Sequence, residues 1–95
     1  LVVGTHTHVP TNDARILSNG TGYQTDAGMC GDYDSVIGMN KKNSINRFLK
    51  KESVKHYPAE GEGTISGVLI EADTTTGLTK KITSIIFGGV LKTNY

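Results

Sequence analysis

The sequence predicts a small α+β unit, mostly antiparallel strands with one helix near 41–50. Three observations predict it. Short apolar and β-branched runs recur between turn signals. Only one stretch changes period: Ile45, Phe48 and Leu49 repeat at helical spacing after Asn40, a good N-cap. Glycine contributes 12 of the 95 residues, well above its average share of about 7%, so the chain turns often or passes close to something.

Taken in order, Leu1-Val2-Val3 reads as a short buried strand ending at Gly4. Pro10 stops regular pairing after Thr5-His6-Thr7-His8-Val9. Arg15-Ile16-Leu17 is a short extended piece before Ser18-Asn19-Gly20, a strong turn signal. Residues 22–26 read as a strand, and 28–39, with three glycines, as an ordered loop. A helix follows over 41–50. Lys50 and Lys51 suit its C-terminal dipole, whereas Lys41 and Lys42 do not suit its N-terminus. Strands are expected over 53–59, 64–73 and 79–87, the last two joined through Asp73-Thr74-Thr75-Thr76-Gly77. Gly88-Gly89 ends the pattern and leaves 88–95 as a tail.

Length and charge limit the function. A chain of 95 residues buries only roughly 60–65% of its unfolded surface, and it is too short for a complete TIM barrel of about 250 residues. Leu1 in place of Met, with a strand already under way, leads us to expect that 1–95 is the C-terminal portion of one domain. Charge is uneven. Residues 1–39 carry Asp13, Asp26, Asp32 and Asp34 against Arg15, whereas 40–56 carry Lys41, Lys42, Arg47, Lys50, Lys51 and Lys55 against Glu52. The pI of 8.1 falls short of the value above about 9 expected of a nucleic-acid binder. The basic helix lacks interleaved aromatics and reads as a solvated face. No apolar run approaches the roughly 18–20 residues of a membrane span. The single cysteine, Cys30, fits a reducing, cytoplasmic setting; nothing pairs it with an activating base, so it is a poor nucleophile candidate.

The chemistry concentrates in Gly4-Thr5-His6-Thr7-His8. In extended backbone, side chains at i and i+2 point the same way, with Cα atoms roughly 6.5–7 Å apart. Two such imidazoles can converge on one metal or serve two metals about 3.5–4 Å apart. Spacing alone equally allows two loop histidines that happen to be two apart, since catalytic zinc takes three protein ligands. Asp26, at the end of a strand, either orients a ligand histidine through its free N–H or makes a turn before Gly28. Met29 and Tyr33 are candidates for lining a pocket or a subunit contact, with loop packing as the simpler role. His56 reads as a surface strand residue.

Longer context adds a resemblance. Residues 4–11, Asp13–Leu17, Gly20–Gly31 and above all Tyr33-Asp34-Ser35-Val36-Ile37-Gly38-Met39 resemble the C-terminal third of the YmdB-like metallophosphoesterases, calcineurin-like phosphodiesterases with a dinuclear metal centre. The resemblance continues through Arg47-Phe48-Leu49, Gly67–Asp73 and Thr76-Gly77, covering roughly 1–87. It implies the C-terminal part of an α/β sandwich of two packed sheets. It implies His6 as ligand to one metal and His8 to the other, with iron, manganese or zinc as the two divalent ions. The remaining ligands and the proton-donor histidine have no match here, so no catalytic residue is expected in these 95 residues. The resemblance further implies a small phosphoester substrate, cyclic nucleotides in particular, and a homo-oligomer. An amidohydrolase, whose HxH opens a barrel, is rejected because mostly strands follow His8. A non-catalytic interaction module using the basic helix 41–51 is the alternative from another class.

Overall fold

Alternating short strands and turns produce two separate sheets. In the computed structural model, which describes residues 1–49 and 55–94, Val2–Val3 (β1), Arg15–Ile16 (β2) and Gly22–Gln24 (β3) form a three-stranded sheet in the order β1-β3-β2. β3 is central. It pairs parallel with β1, Val2 opposite Tyr23, and antiparallel with β2, Arg15 opposite Tyr23. The β1–β3 pair is the parallel exception in an otherwise antiparallel set of named strands.

The second sheet is a hairpin of Ile65–Ala72 (β4) and Thr79–Phe87 (β5), in register from Ile65 opposite Phe87 to Glu71 opposite Lys81, with a register shift before Ala72 pairs with Thr79. Its turn follows the residues that predicted it. The Asp73 carboxylate accepts the main-chain N–H groups of Thr75 and Thr76 at 2.7 and 3.1 Å, and Gly77 N–H returns to the Asp73 carbonyl at 2.7 Å. Gly88 and Gly89, with φ of 80° and 67°, end β5. The expected tail starts there, but its described residues run back along the strand, Asn94 N–H donating to the Ile86 carbonyl at 3.0 Å.

The helix, Lys41–Phe48 (α1), starts where Asn40 caps it: the Asn40 side chain accepts Asn43 N–H at 2.9 Å. It is shorter than the span 41–50, whose last residue lies outside the described ones. Residues 53 and 54 of the expected strand 53–59 also lie outside them. Residues 55–59 are not a strand. They make an isolated bridge, Met39 opposite Pro58, because proline has no N–H to continue a ladder. His56 accordingly sits exposed in irregular chain, not on a strand.

Two polar seams join the sheets. Thr79 N–H donates to the Gly20 carbonyl at 2.8 Å, and Gly22 N–H to Thr79 Oγ1 at 2.9 Å. At the start of β4, Thr64 and Gly31 exchange main-chain bonds of 2.7 and 3.0 Å, while Ser66 Oγ donates to the Ala27 carbonyl. These seams matter because no hydrophobic side chain among the described residues is fully buried; the buried polar and charged ones are Gln24, Asp26, Asn43, Thr64 and Ser66. The expectation of a buried first strand is corrected: Val2 is 54% exposed, and among the described residues β1 stands at the edge of its sheet. The radius of gyration, 16.9 Å, exceeds the roughly 13 Å of a compact chain this long, in line with that open arrangement.

The Thr79 seam is testable. Thr79→Val leaves the buried Gly22 N–H without its acceptor, a loss of about 1–3 kcal/mol, whereas Thr79→Ser retains the hydroxyl. Urea denaturation of the complete domain carrying each variant should separate the two, and equal midpoints would refute the role of the hydroxyl.

Candidate functional site

The site is built where β1 and β3 end side by side. Gly4 leaves β1 so close to β3 that a Cβ there would run into the Thr25 carbonyl oxygen. The Gly4 carbonyl accepts Ala27 N–H at 2.8 Å, which lays Asp26 beneath the histidine segment. Asp26 is only 1% exposed. Its Oδ2 accepts His6 N–H at 2.8 Å, Thr7 N–H at 2.6 Å and the Thr7 hydroxyl at 2.9 Å, and its Oδ1 accepts Gly28 N–H at 2.8 Å. Main-chain donors from Thr7 and then Gly28 lead the effects that hold its carboxyl down at about 2.

This geometry decides between the two readings of Asp26 and corrects one expectation about the histidines. Asp26 reaches the main chain of His6 and Thr7, not an imidazole, so its carboxylate shapes the loop and also makes the turn to Gly28. The histidine segment is not extended either. Residues 6–9 are bent and His8 has φ of 68°, because one carboxylate gathers two successive N–H groups and pulls the chain round itself. The i, i+2 rule for strands therefore does not govern the two rings. Instead His8 Nδ1 lies 3.0 Å from the Ile37 carbonyl oxygen, across 29 residues of chain.

A second carboxylate supports the first. Asp13 accepts the Thr11 hydroxyl at 2.7 Å, Thr25 N–H at 3.1 Å and the Thr25 hydroxyl, and these bonds, Thr11 foremost, hold it well below the usual carboxylate range. Thr11 Oγ1 also accepts Asp26 N–H at 2.9 Å. Arg15 sits 4.7 Å above the Tyr23 ring, completing this edge. The sequence reading did not single out Thr7, Thr11, Asp13 or the Ile37 carbonyl. A threonine within two residues of each of His6, His8, Asp13 and Asp26 was the available signal.

The loop 28–39 forms the other wall. Gly28 has φ of 88°, and a Cβ there would collide with Ser66 Oγ, Pro10 N and the Tyr33 hydroxyl. Met29 and Tyr33, named as pocket candidates, do line a cleft of about 340 Å³ together with His8, Ser35 and Ile37. The Tyr33 hydroxyl is saturated, accepting Met29 N–H at 2.7 Å and donating to the Met29 carbonyl at 2.8 Å, so its ring is what the cleft meets. Cys30 is free, but its thiol donates to the Ser66 carbonyl at 3.3 Å. Lys41 contacts both Asp34 oxygens at 2.8 Å on the exposed side of α1. Among the described residues, no three His, Cys, Asp or Glu side chains come together as a metal-binding group.

Comparison places this fold in the class of a phosphatase structure. It is similar to the crystal structure of a novel phosphatase from Mycoplasma pneumoniae, with TM-score 0.81, 38% identity, and coverage of 90% of this chain and 31% of that one. A hypothetical protein from Thermus thermophilus is similar at TM-score 0.79 and 36% identity, covering 90% of this chain and 33% of that one. In sequence the chain is 49% identical over 85 residues to a 2',3'-cyclic-nucleotide 2'-phosphodiesterase of Bacillus subtilis (strain 168), covering 90% of this chain and 32% of that protein. The model of the YmdB-like protein family matches residues 1–85, and the chain belongs to that family. It spans about a third of the length of these relatives.

The Asp26 bonds set a pH signature. A carboxyl at about 2 when folded, against 3.8 ordinarily, contributes stability that is complete above pH about 4–5 and is lost as pH falls through 2. Asp26→Asn in the complete domain should lower stability at neutral pH and flatten its decline between about pH 5 and 2. Asp13 keeps part of that slope. Denaturation midpoints across this range check it, and an undiminished slope in Asp26→Asn would overturn the assignment.

Proposed function

We propose that the complete protein is a metal-dependent phosphodiesterase acting on small phosphoesters, cyclic nucleotides foremost, and that this segment supplies two ligands, His6 and His8, to a pair of divalent metal ions. The observation that carries this reading is the loop itself. Two imidazoles stand on a turn fixed from below by a buried carboxylate, beside an open cleft. The donor set suits such ions. A carbonyl oxygen only accepts, so His8 Nδ1 carries the proton toward Ile37 and the neutral ring keeps its lone pair on Nε2. Neutral imidazole nitrogen suits iron, manganese or zinc, and two neutral ligands leave the positive charge of the ions intact for a phosphate. When bound, the metal pair supplies Lewis-acid charge and activates water.

The chain's own residues position and shape. Asp26 stays ionised at neutral pH and keeps the His6 and Thr7 main chain in place. Met29, Tyr33 and Ile37 offer apolar walls next to His8, suited to the non-phosphate part of an ester. The names of the relatives, a cyclic-nucleotide phosphodiesterase and a phosphatase, support the substrate class. The remaining ligands and the proton donor belong to other parts of the protein in this reading, because the described residues hold no third ligand with His6 and His8.

In the complete protein, His6→Ala or His8→Ala should each lower bound metal and abolish turnover of a cyclic nucleotide. Unchanged metal stoichiometry in both variants would refute the ligand roles. The isolated 95-residue chain, supplied with metal, should not hydrolyse a chromogenic phosphodiester; enzyme-like rates from it would overturn the division of the site.

A further inference from the structure

We propose that Ser35, acting through the Ile37–Gly38 peptide, is a positioning residue that fixes the ring of His8 with its proton on Nδ1 and its lone pair on Nε2. The proposal deepens the ligand reading of His8 and rests on it for its metal consequence, but not for its structural one.

The two ends of a single peptide unit carry the argument. Its N–H, from Gly38, donates to Ser35 Oγ at 2.8 Å. Its C=O, from Ile37, accepts from His8 Nδ1 at 3.0 Å. In a trans peptide the N–H and C=O point to opposite sides of one rigid plane. Rotation of that plane therefore breaks both bonds together, and whatever holds the N–H also aims the carbonyl. Ser35 holds it from an anchored place, since its own hydroxyl donates to the Asp32 carbonyl. Asp32 is itself tied down: its carboxylate accepts Asp34 N–H at 2.8 Å and, from across the chain, Gly61 N–H at 2.9 Å.

The backbone marks the same place. Val36 and Met39 exchange main-chain bonds of 2.9 Å, closing a tight turn with Ile37 and Gly38 at its centre. Both central residues have positive φ, 48° and 96°, the signature of a type I′ turn. Asparagine followed by glycine is the favoured pair for that turn, and a β-branched residue at positive φ is disfavoured. Among the described residues, the non-glycine residues with positive φ are His8 and Ile37. They are the two ends of one hydrogen bond. Strain of this kind persists where the surroundings over-determine the conformation, and it clusters at functional sites. Here the surroundings are the Ser35 hydroxyl on one side and the Asp26-held loop on the other. The Ile37 side chain also lines the cleft beside His8, which gives isoleucine a reason to occupy a position the turn would rather give to asparagine.

The chemistry follows from acceptor geometry. A main-chain carbonyl cannot donate, so it selects the imidazole tautomer protonated on Nδ1 and leaves Nε2 to face a ligand. A carboxylate in the same role would draw the proton more strongly and make the ring a more basic donor. Asp26, the buried carboxylate of this loop, is already committed to main-chain N–H groups.

The test uses the complete protein, stripped of metal and labelled with ¹⁵N-histidine, at about pH 8, above the ordinary imidazole pKa of about 6.5. The His8 resonances, assigned by their absence in His8→Ala, should show the Nδ1–H tautomer. Ser35→Ala should give a mixture of tautomers and weaken metal binding, measured by competition with a chelating dye, by about 10–100-fold. Ser35→Thr, which keeps the hydroxyl, should restore both. Wild-type tautomer and affinity in Ser35→Ala would overturn the proposal. If that variant does not fold, the wild-type ring still decides, because an Nε2–H tautomer in the metal-free protein is incompatible with the bond to Ile37. Failure of the ligand reading shows separately: His8→Ala would then leave metal binding intact whatever the tautomer.

Discussion

The buried carboxylate of Asp26 is the constraint on which the site depends. Four donors converge on it, three from His6 and Thr7 and one from Gly28. It therefore joins the end of β1 to the end of β3 and fixes the entry to the loop 28–39. A buried carboxylate without partners would be strongly destabilising. With four donors it becomes an organising centre, and the chain bends around it. The bend puts His8 into positive φ and brings its ring to Ile37. Asp13 repeats the device one layer out, tying Thr11 and Thr25 together so that Thr11 can support Asp26 from behind.

Much of the fold was legible because its signals are local. Asp73 through Gly77 announced a hairpin, Asn40 announced a helix start, and Gly88-Gly89 announced the end of β5; each acts within a few residues. The expected strand 53–59 failed over its described part, 55–59, where β-rich composition outweighed the missing N–H of Pro58. The burial expected of Val2 failed for another reason: an apolar run specifies what seeks cover, not whether the described chain provides it.

The site was legible in its residue types and less so in its geometry. His6, His8, Asp26, Met29 and Tyr33 all fall in one region, as their motifs suggested. The positions of the rings did not follow from spacing, because the HxH segment takes its shape from a carboxylate 19 and 20 residues away. The partner of the His8 ring is a main-chain carbonyl, a group every residue carries. No residue type can advertise it, and only the turn that aims it is visible in three dimensions.

These long connections have a kinetic side. The β4–β5 hairpin joins residues close in sequence at its turn, Ala72 lying opposite Thr79, and hairpins form on the order of microseconds. The His8–Ile37 bond closes a loop spanning 29 residues, which costs about 1 kcal/mol more in chain entropy than the short hairpin closure. Its geometry also rests on the Asp26 contacts, which themselves span 20 and 19 residues. The histidine loop is therefore the more demanding of the two to close. Its geometry is held by contacts far apart in the chain and the hairpin's turn by contacts close at hand, so the two draw on separate reserves of chain entropy.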